Sequence, residues 1–214
     1  MLRLFPKDIK TVLFLGAHCD DIEIGCGATL QRLLAEYADL AVYWVVLSSN
    51  PVREAEARNS AGILLNGVKQ KTVDVRAFRN GYFPFIGAEI KDYFELLKQD
   101  VQPDLIFTHY GQDAHQDHRL TSELTWNTFR NHLILEYEIP KYDGGLGSPN
   151  LFVPVTTQHC ERKAEHLMNS FASESNKHWF TRDTFLGLMR LRGVECSAPT
   201  GYAEAFYARK LMIG

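Results

Sequence analysis

Histidines and aspartates gather twice in this chain of 214 residues: in His18-Cys19-Asp20-Asp21, and in Asp113-Ala114-His115-Gln116-Asp117-His118. Imidazole and carboxylate are ligands that Zn²⁺ and related divalent ions favour, and a catalytic site keeps one position open for water. Two histidines and one carboxylate supply three ligands. His18 and Asp21, three residues apart on a turn, can grip one ion, and His118 can join them from elsewhere in the chain. An ion so held lowers the pKa of bound water to about 7. Asp20, next to Asp21, is the candidate to take that water's proton, a contribution typically worth about 10²–10⁴-fold. His115, one helical turn from His118, is a candidate to donate a proton or stabilise an oxyanion. Asp117 or Asp113 is placed to orient an imidazole, as carboxylates behind metal ligands often do. Each cluster alone has a plainer reading. A single His-x-x-His is weak evidence for metal, and an Asp-Asp pair at a helix start can simply cap free amides.

The metal reading gains its force from where the clusters fall. Val12-Leu13-Phe14-Leu15 is a short apolar run bounded like a buried strand, and Ala28 to Leu34 after it reads as a helix. Leu105-Ile106-Phe107-Thr108 is a second such strand, directly before the second cluster. In an open α/β sheet, ligands bind at the carboxyl ends of the strands, so both clusters are expected at one sheet edge. The intervening chain supports such a sheet. Leu40 to Leu47 is continuously apolar, as in a strand buried on both faces. Arg53 to Ala61 opens a helix that Asn66-Gly67 ends. Lys71 to Val75 is a short strand, Asn80 to Pro84 a loop, and Ile86, Ile90, Phe94 and Leu97 recur at helical spacing. The β-α-β-α alternation predicts a mostly parallel sheet with helices on both faces. The last third is less regular: an alternating strand over 133–139, a loop over 143–149, helices around 160–173 and 182–192, and a terminal strand at 204–208. No linker divides the chain, so one domain over 1–214 is expected.

Composition narrows the function classes. Hydrophobic residues make up 45% and charged residues 23%, a mix that folds rather than stays disordered. The formal net charge of −3, with no local Lys/Arg run, argues against nucleic-acid partners and against a membrane patch. Met1 to Asp8 lacks the apolar core of a signal peptide, and the apolar run after it is too short to span a bilayer. The four cysteines, at 19, 26, 160 and 196, form no C-x-x-C pair. A reduced, cytoplasmic setting is the expectation.

At the two clusters the chain resembles the PIG-L/LmbE-like family of zinc-dependent N-deacetylases. The family pattern is Ala-His-Pro-Asp-Asp with a Gly-rich helix start, then a later His-x-Asp-His. Here these stand as Ala17-His18-Cys19-Asp20-Asp21, Gly25-Cys26-Gly27 and His115-Gln116-Asp117-His118. Arg53 with Glu56 resembles the family's arginine-led helix, and Ala203-Glu204-Ala205-Phe206 its carboxyl-terminal segment. The resemblance implies a Rossmann-like three-layer sandwich and hydrolysis of the N-acetyl group of a glucosamine-type sugar. It implies His18, Asp21 and His118 as ligands of zinc, or of another divalent metal. It further implies Asp20 as general base, His115 as the group that stabilises the tetrahedral intermediate or protonates the amine, and Arg53 as a substrate contact. Three positions depart from the pattern: Cys19 for Pro, Ile22 where many members have Glu (with Glu23 one place later), and Asn66 at the end of the second helix. Cys19 is read as a small packing side chain.

Several residues lie outside this set. Arg53 has the donor fork to hold a sugar hydroxyl or phosphate, although a helix charge in solvent is an equal reading. Tyr82, Tyr110, Trp126, Trp179 and Tyr202 could stack on a sugar, with core or rim the general expectation. His109 ends a strand beside the second cluster and is a candidate pocket-lining residue. His132, His159, His166 and His178 carry no spacing signal and are read as structural. Gly25-x-Gly27 lacks the third glycine of a dinucleotide fingerprint. The leading expectation is an enzyme that removes acetyl, or another small acyl group, from an N-acylated amino sugar or glycoconjugate, free to form homo-oligomers. The alternatives are a non-catalytic nucleotide- or sugar-binding module and a metal phosphoesterase, whose two-metal form needs more bridging carboxylates than these clusters hold.

Overall fold

Strand β1 (Thr11–Gly16) is apolar at successive positions because both its faces are covered: Val12, Leu13, Phe14 and Leu15 are fully buried. It lies inside a seven-stranded sheet in a computed structural model that describes residues 8–212. The reading of the amino-terminal segment before Asp8 lies outside the described residues. β1 pairs in parallel with β2 (Ala41–Val46) and β4 (Leu105–His109). β2 pairs with β3 (Lys71–Val75), and β4 with β5 (Leu133–Tyr137), also in parallel. β7 (Ala203–Ala208) then runs antiparallel to β5, and β6 (Leu151–Pro154) antiparallel to β7 at the edge, giving the order β3-β2-β1-β4-β5-β7-β6. The expected mostly parallel α/β sandwich is therefore present, with an antiparallel margin. β6 has no counterpart among the expected strands.

Among the described residues six α-helices cover the sheet: α1 (Asp21–Glu36), α2 (Pro51–Leu64), α3 (Gly87–Asp100), α4 (Gln116–Thr128), α5 (Thr157–Ser170) and α6 (Arg182–Glu195). Val12 and Phe14 face one core with α1, α2, α5 and α6, whereas Leu13 and Leu15 face the other with α3 and α4. β5 is more buried than its alternating sequence suggests. Glu136 turns inward and is held by the Trp126 indole N–H, the Gly111 amide and Arg209. Buried carboxylates persist only with such partners.

Helix α1 starts at Asp21 rather than at Ala28, and it is kinked at Cys26 (φ −146°, ψ 20°). A kink strips helical partners from nearby backbone groups, and these must be satisfied elsewhere. Lys163 of α5 donates to the Ile24 carbonyl at 2.5 Å. Glu204 of β7 accepts from the Ala28 and Thr29 amides at 3.0 and 2.6 Å. Lys163 and Glu204 also pair with each other at 2.5 Å, both buried. Gly25 lies against the Tyr137 ring, into which an added Cβ would run.

Candidate metal centre

β1 is flanked by β2 on one side and β4 on the other, so the connections after these strands diverge and leave a crevice at their carboxyl ends. Three stretches of chain build its floor. After β1 the chain turns so that the His18 amide donates to Asp21 Oδ2 at 2.6 Å, and Asp20 takes the position just before α1. After β2, Asn50 caps α2 by accepting from the Val52 and Arg53 amides, with Pro51 pre-set for the first helical position. This aims Arg53 at Asp20, Nη2 to Oδ1 2.8 Å. After β4, Asp113 accepts from the His115 amide at 2.7 Å, and His115 occupies the cap position of α4, one turn from His118.

His18, Asp21 and His118 converge as a triangle of donor atoms. His18 Nδ1 is 3.1 Å from His118 Nε2 and 3.3 Å from Asp21 Oδ2, and His118 Nε2 is 3.6 Å from Asp21 Oδ1. Bonds of about 2.0–2.1 Å to a tetrahedral ion would set such atoms about 3.3–3.4 Å apart. Two imidazole nitrogens facing each other across 3.1 Å also need a proton or a cation between them. The donor set therefore fits a divalent ion. Each ligand candidate has a partner behind it. His18 Nε2 is 3.4 Å from Asp117 Oδ2, and Asp117 also accepts from the Gly81 and Phe83 amides. His118 Nδ1 is 3.1 Å from Asp113 Oδ2, which Lys141 holds at 2.7 Å. His109 Nε2 is 3.0 Å from Asp21 Oδ2.

The local field favours positive charge at this point. Burial opposes protonation of His18, yet Asp21, Asp117 and Asp20 outweigh it and raise its pKa to about 10. Burial and the neighbouring His109 push His118 down to about 3, so it is a neutral imidazole with a free lone pair. Burial raises Asp21, but His118, His109 and His18 more than reverse that, and it is ionised well below the usual carboxylate range. A cation entering here would replace the proton shared by the two imidazoles. Asp20 differs from its neighbour. Burial raises its pKa, Arg53 offsets only part of the rise, and the charge of Asp21 adds to it. A carboxyl with a raised pKa is a better proton acceptor at neutral pH.

The triangle lies in a cavity of about 580 Å³ lined by His18, Asp20, Asp21, Arg53, His115 and His118 among others. That size falls within the range of small-molecule sites. His109, expected at the pocket wall, is instead fully buried and lies behind Asp21. Of the five aromatic candidates, only Trp179 lines the cavity. Arg53 is held on both sides, by Asp20 and by the buried Glu174, while its Nε has no hydrogen-bond partner. Cys19 lines the cavity with its thiol directed at the Ser48 carbonyl, and burial lifts its pKa to about 12, which keeps it protonated. His166 lies away from the cavity, bonded to Ser60, which in turn donates to the buried Glu23. Sequence reasoning missed Lys141, Glu174 and Lys177, which come from irregular segments without periodic signal.

This chain belongs to the PIG-L family: the family model described as GlcNAc-PI de-N-acetylase matches residues 13–129, from β1 through α4. The Escherichia coli K12 protein called uncharacterized deacetylase YaiS is 29% identical over 143 residues, covering 61% of this chain and 75% of its own. Among solved structures, N,N'-diacetylchitobiose deacetylase from Pyrococcus horikoshii superposes with a TM-score of 0.72 at 22% identity, covering 94% of this chain and 84% of that one. GalB, the 4-carboxy-2-hydroxymuconate hydratase from Pseudomonas putida KT2440, superposes with a TM-score of 0.76 at 17% identity, covering 96% and 98%. The fold is thus shared with both a deacetylase and a hydratase, and chemistry must be argued from the site. Among the described residues no helix is long and apolar enough to cross a membrane, and all four cysteines are free and buried.

Proposed function

We propose that this chain, as one domain over 1–214, is a zinc-dependent amidohydrolase. Its reaction removes the N-acetyl, or another small acyl group, from an N-acylated amino sugar or glycoconjugate. The observation that carries the reading is the donor triangle of His18, Asp21 and His118 at the base of an open cavity, with Asp20 beside it. A divalent cation bound there would supply Lewis acidity toward the amide carbonyl and the attacking water. Asp20, its Oδ1 fixed by Arg53, takes the proton from water as general base. His115, whose ring centroid is 4.9 Å from that of His18, stabilises the developing oxyanion or returns a proton to the leaving amine. Asp117 and Asp113 hold the two imidazoles in register, and Arg53 borders the substrate. Family membership supports de-N-acetylation, and the relatives named for deacetylation support it further. No observation favours the non-catalytic module. Cytoplasmic residence agrees with four unpaired thiols.

The experiment combines metal content after gentle purification with amine release from free, nucleotide-linked and lipid-linked N-acetylhexosamines. The expected result is one bound metal per chain and turnover of one of these classes. Asp20→Asn should keep the metal and lose about 10²–10⁴-fold in rate. Absence of metal, or full activity in Asp20→Asn, overturns the proposal.

A further inference from the structure

Arg53 holds two carboxylates at once. Its Nη2 donates to Asp20 Oδ1 at 2.8 Å and its Nη1 pairs with Glu174 Oε1, while Nε is buried without a hydrogen-bond partner. Asp20 stands at the cap position of α1 but makes no capping bond with its side chain, so that helix does not restrain its carboxylate. The restraint comes from Arg53, and Arg53 is restrained in turn from a distant part of the chain. Glu174 closes a single 3₁₀ turn (Ala172–Glu174) in the connection between α5 and α6. Phe171 and Phe180, both fully buried with ring centroids 6.4 Å apart, root that connection in the core. The turn itself is tied to α2. Glu56, one helical turn after Arg53, accepts from the Ser173 amide at 2.9 Å and from its hydroxyl at 2.6 Å. These two links are reciprocal: α2 gives a carboxylate to Ser173 and a guanidinium to Glu174. The buried Glu174 carboxylate is therefore set against Arg53 from a fixed base, and its second oxygen pairs with Lys177.

We propose that Glu174 is a positioning residue for the general base: it anchors one end of the Arg53 guanidinium so that the other end fixes the Asp20 carboxylate beside the donor triangle. The proposal rests on the reading of Asp20 given above. An arginine stem is long and rich in rotamers, but its planar fork is fixed once both terminal nitrogens are anchored. Held at one nitrogen only, the guanidinium swings about that contact, and Asp20 swings with it. Misplacement of a reacting group by about 1 Å can cost about 10²-fold in rate. Two rival roles are visible in the same geometry. Glu174 and Arg53 both line the cavity, so direct contact of Glu174 with substrate is one rival. Mere support of the connection between α5 and α6 is the other.

A double-mutant cycle separates the three roles, read on the N-acetylhexosamine that the parent turns over fastest. Glu174→Ala should lower kcat by about 10–100-fold and leave KM nearly unchanged. In the Asp20→Asn background the same substitution should change the rate by less than about twofold, because a residue acting through Asp20 has nothing left to position. Glu174→Gln, which keeps an acceptor for Nη1, should lie closer to the parent. A second readout needs no substrate. The ¹⁵N resonances of the two Arg53 Nη groups, identified by their loss in Arg53→Lys, should be separate in the parent and averaged by rotation in Glu174→Ala. If circular dichroism shows Glu174→Ala unfolded, Glu174→Met, of similar length and without a comparable acceptor, takes its place with the same expectations. Equal losses in both backgrounds overturn the proposal and make Glu174 a support of the connection. A raised KM with unchanged kcat overturns it in favour of a substrate contact. If Asp20→Asn is impaired and Glu174→Ala matches the parent, only the positioning role fails. Full activity in Asp20→Asn, or no turnover by the parent, defeats the reading of the site on which the proposal rests.

Discussion

Replacement of Glu204 by alanine tests how the kink in α1 is tolerated. Glu204 makes three contacts, all buried: the Ala28 and Thr29 amides at 3.0 and 2.6 Å, and Lys163 Nζ at 2.5 Å. Alanine leaves two amides without acceptors and the Lys163 ammonium facing only the Ile24 carbonyl. Breaking one side of a buried ion pair costs about 3–5 kcal/mol, set against a typical total stability of about 5–15 kcal/mol. For a chain of this length each kcal/mol moves the melting temperature by about 2–4 °C, so a drop of about 6–20 °C is expected. Lys163→Met should cost less, because Glu204 keeps both amides. The double variant Glu204→Ala/Lys163→Met should recover part of the loss, because no ammonium is then left buried without its counter-charge. The assay is thermal and urea unfolding followed by circular dichroism. A melting temperature for Glu204→Ala within 2 °C of the parent would refute the reasoning, and so would a double variant that falls by the sum of the single losses.

Gly25→Ala places a methyl in the Tyr137 ring and should destabilise by at least about 1–3 kcal/mol; Gly27→Ala, whose Cβ would meet its nearest neighbour at an ordinary 3.6 Å, is the control in the same melts. Glu174→Ala removes the buried carboxylate that pairs with Arg53 and Lys177. Hydrogen bonds to charged groups are worth about 1.5–3 kcal/mol, and a loss of that order in urea titrations is expected, with no effect indicating that Arg53 is held by Asp20 and Glu56 alone.

The parts of this architecture that could be read from sequence are those set by local pattern. β1 and β4 announce themselves because strands covered on both faces carry apolar residues at successive positions, and the reactive clusters follow their ends directly. The sheet edge, and with it the meeting of His18, Asp21 and His118, follows from that order. What escaped depends on distant partners. Helix α1 could not be extended back to Asp21 from the sequence, because its kink is satisfied by Lys163 and Glu204, more than 130 residues away. β6 is only four residues long and pairs at an edge, so periodicity has little to count. Glu136 and Glu138 look like solvent-facing positions of an alternating strand until Trp126, Arg209 and Arg192 are seen to meet them. His109 shows the same limit at the site: its place at a strand end was legible, but which side of the centre it faces was not.

The glycine-rich segment after β5 is latched at two points. Lys141 binds Asp113 and the Gly144 carbonyl, and Arg192 binds Glu138 and the Gly147 carbonyl. Gly145 lies so close to the Ala114 amide that a Cβ would come within 2.8 Å of it. Asp113 therefore serves two masters, the Lys141 latch and the imidazole of His118. Thermodynamic reciprocity makes this more than a shared contact. Whatever binding at His118 does to the grip of Asp113 on Lys141, closing the segment must do to that binding in equal measure. Cleavage of the 143–147 segment by a protease, with and without Zn²⁺, measures this coupling without reference to any substrate.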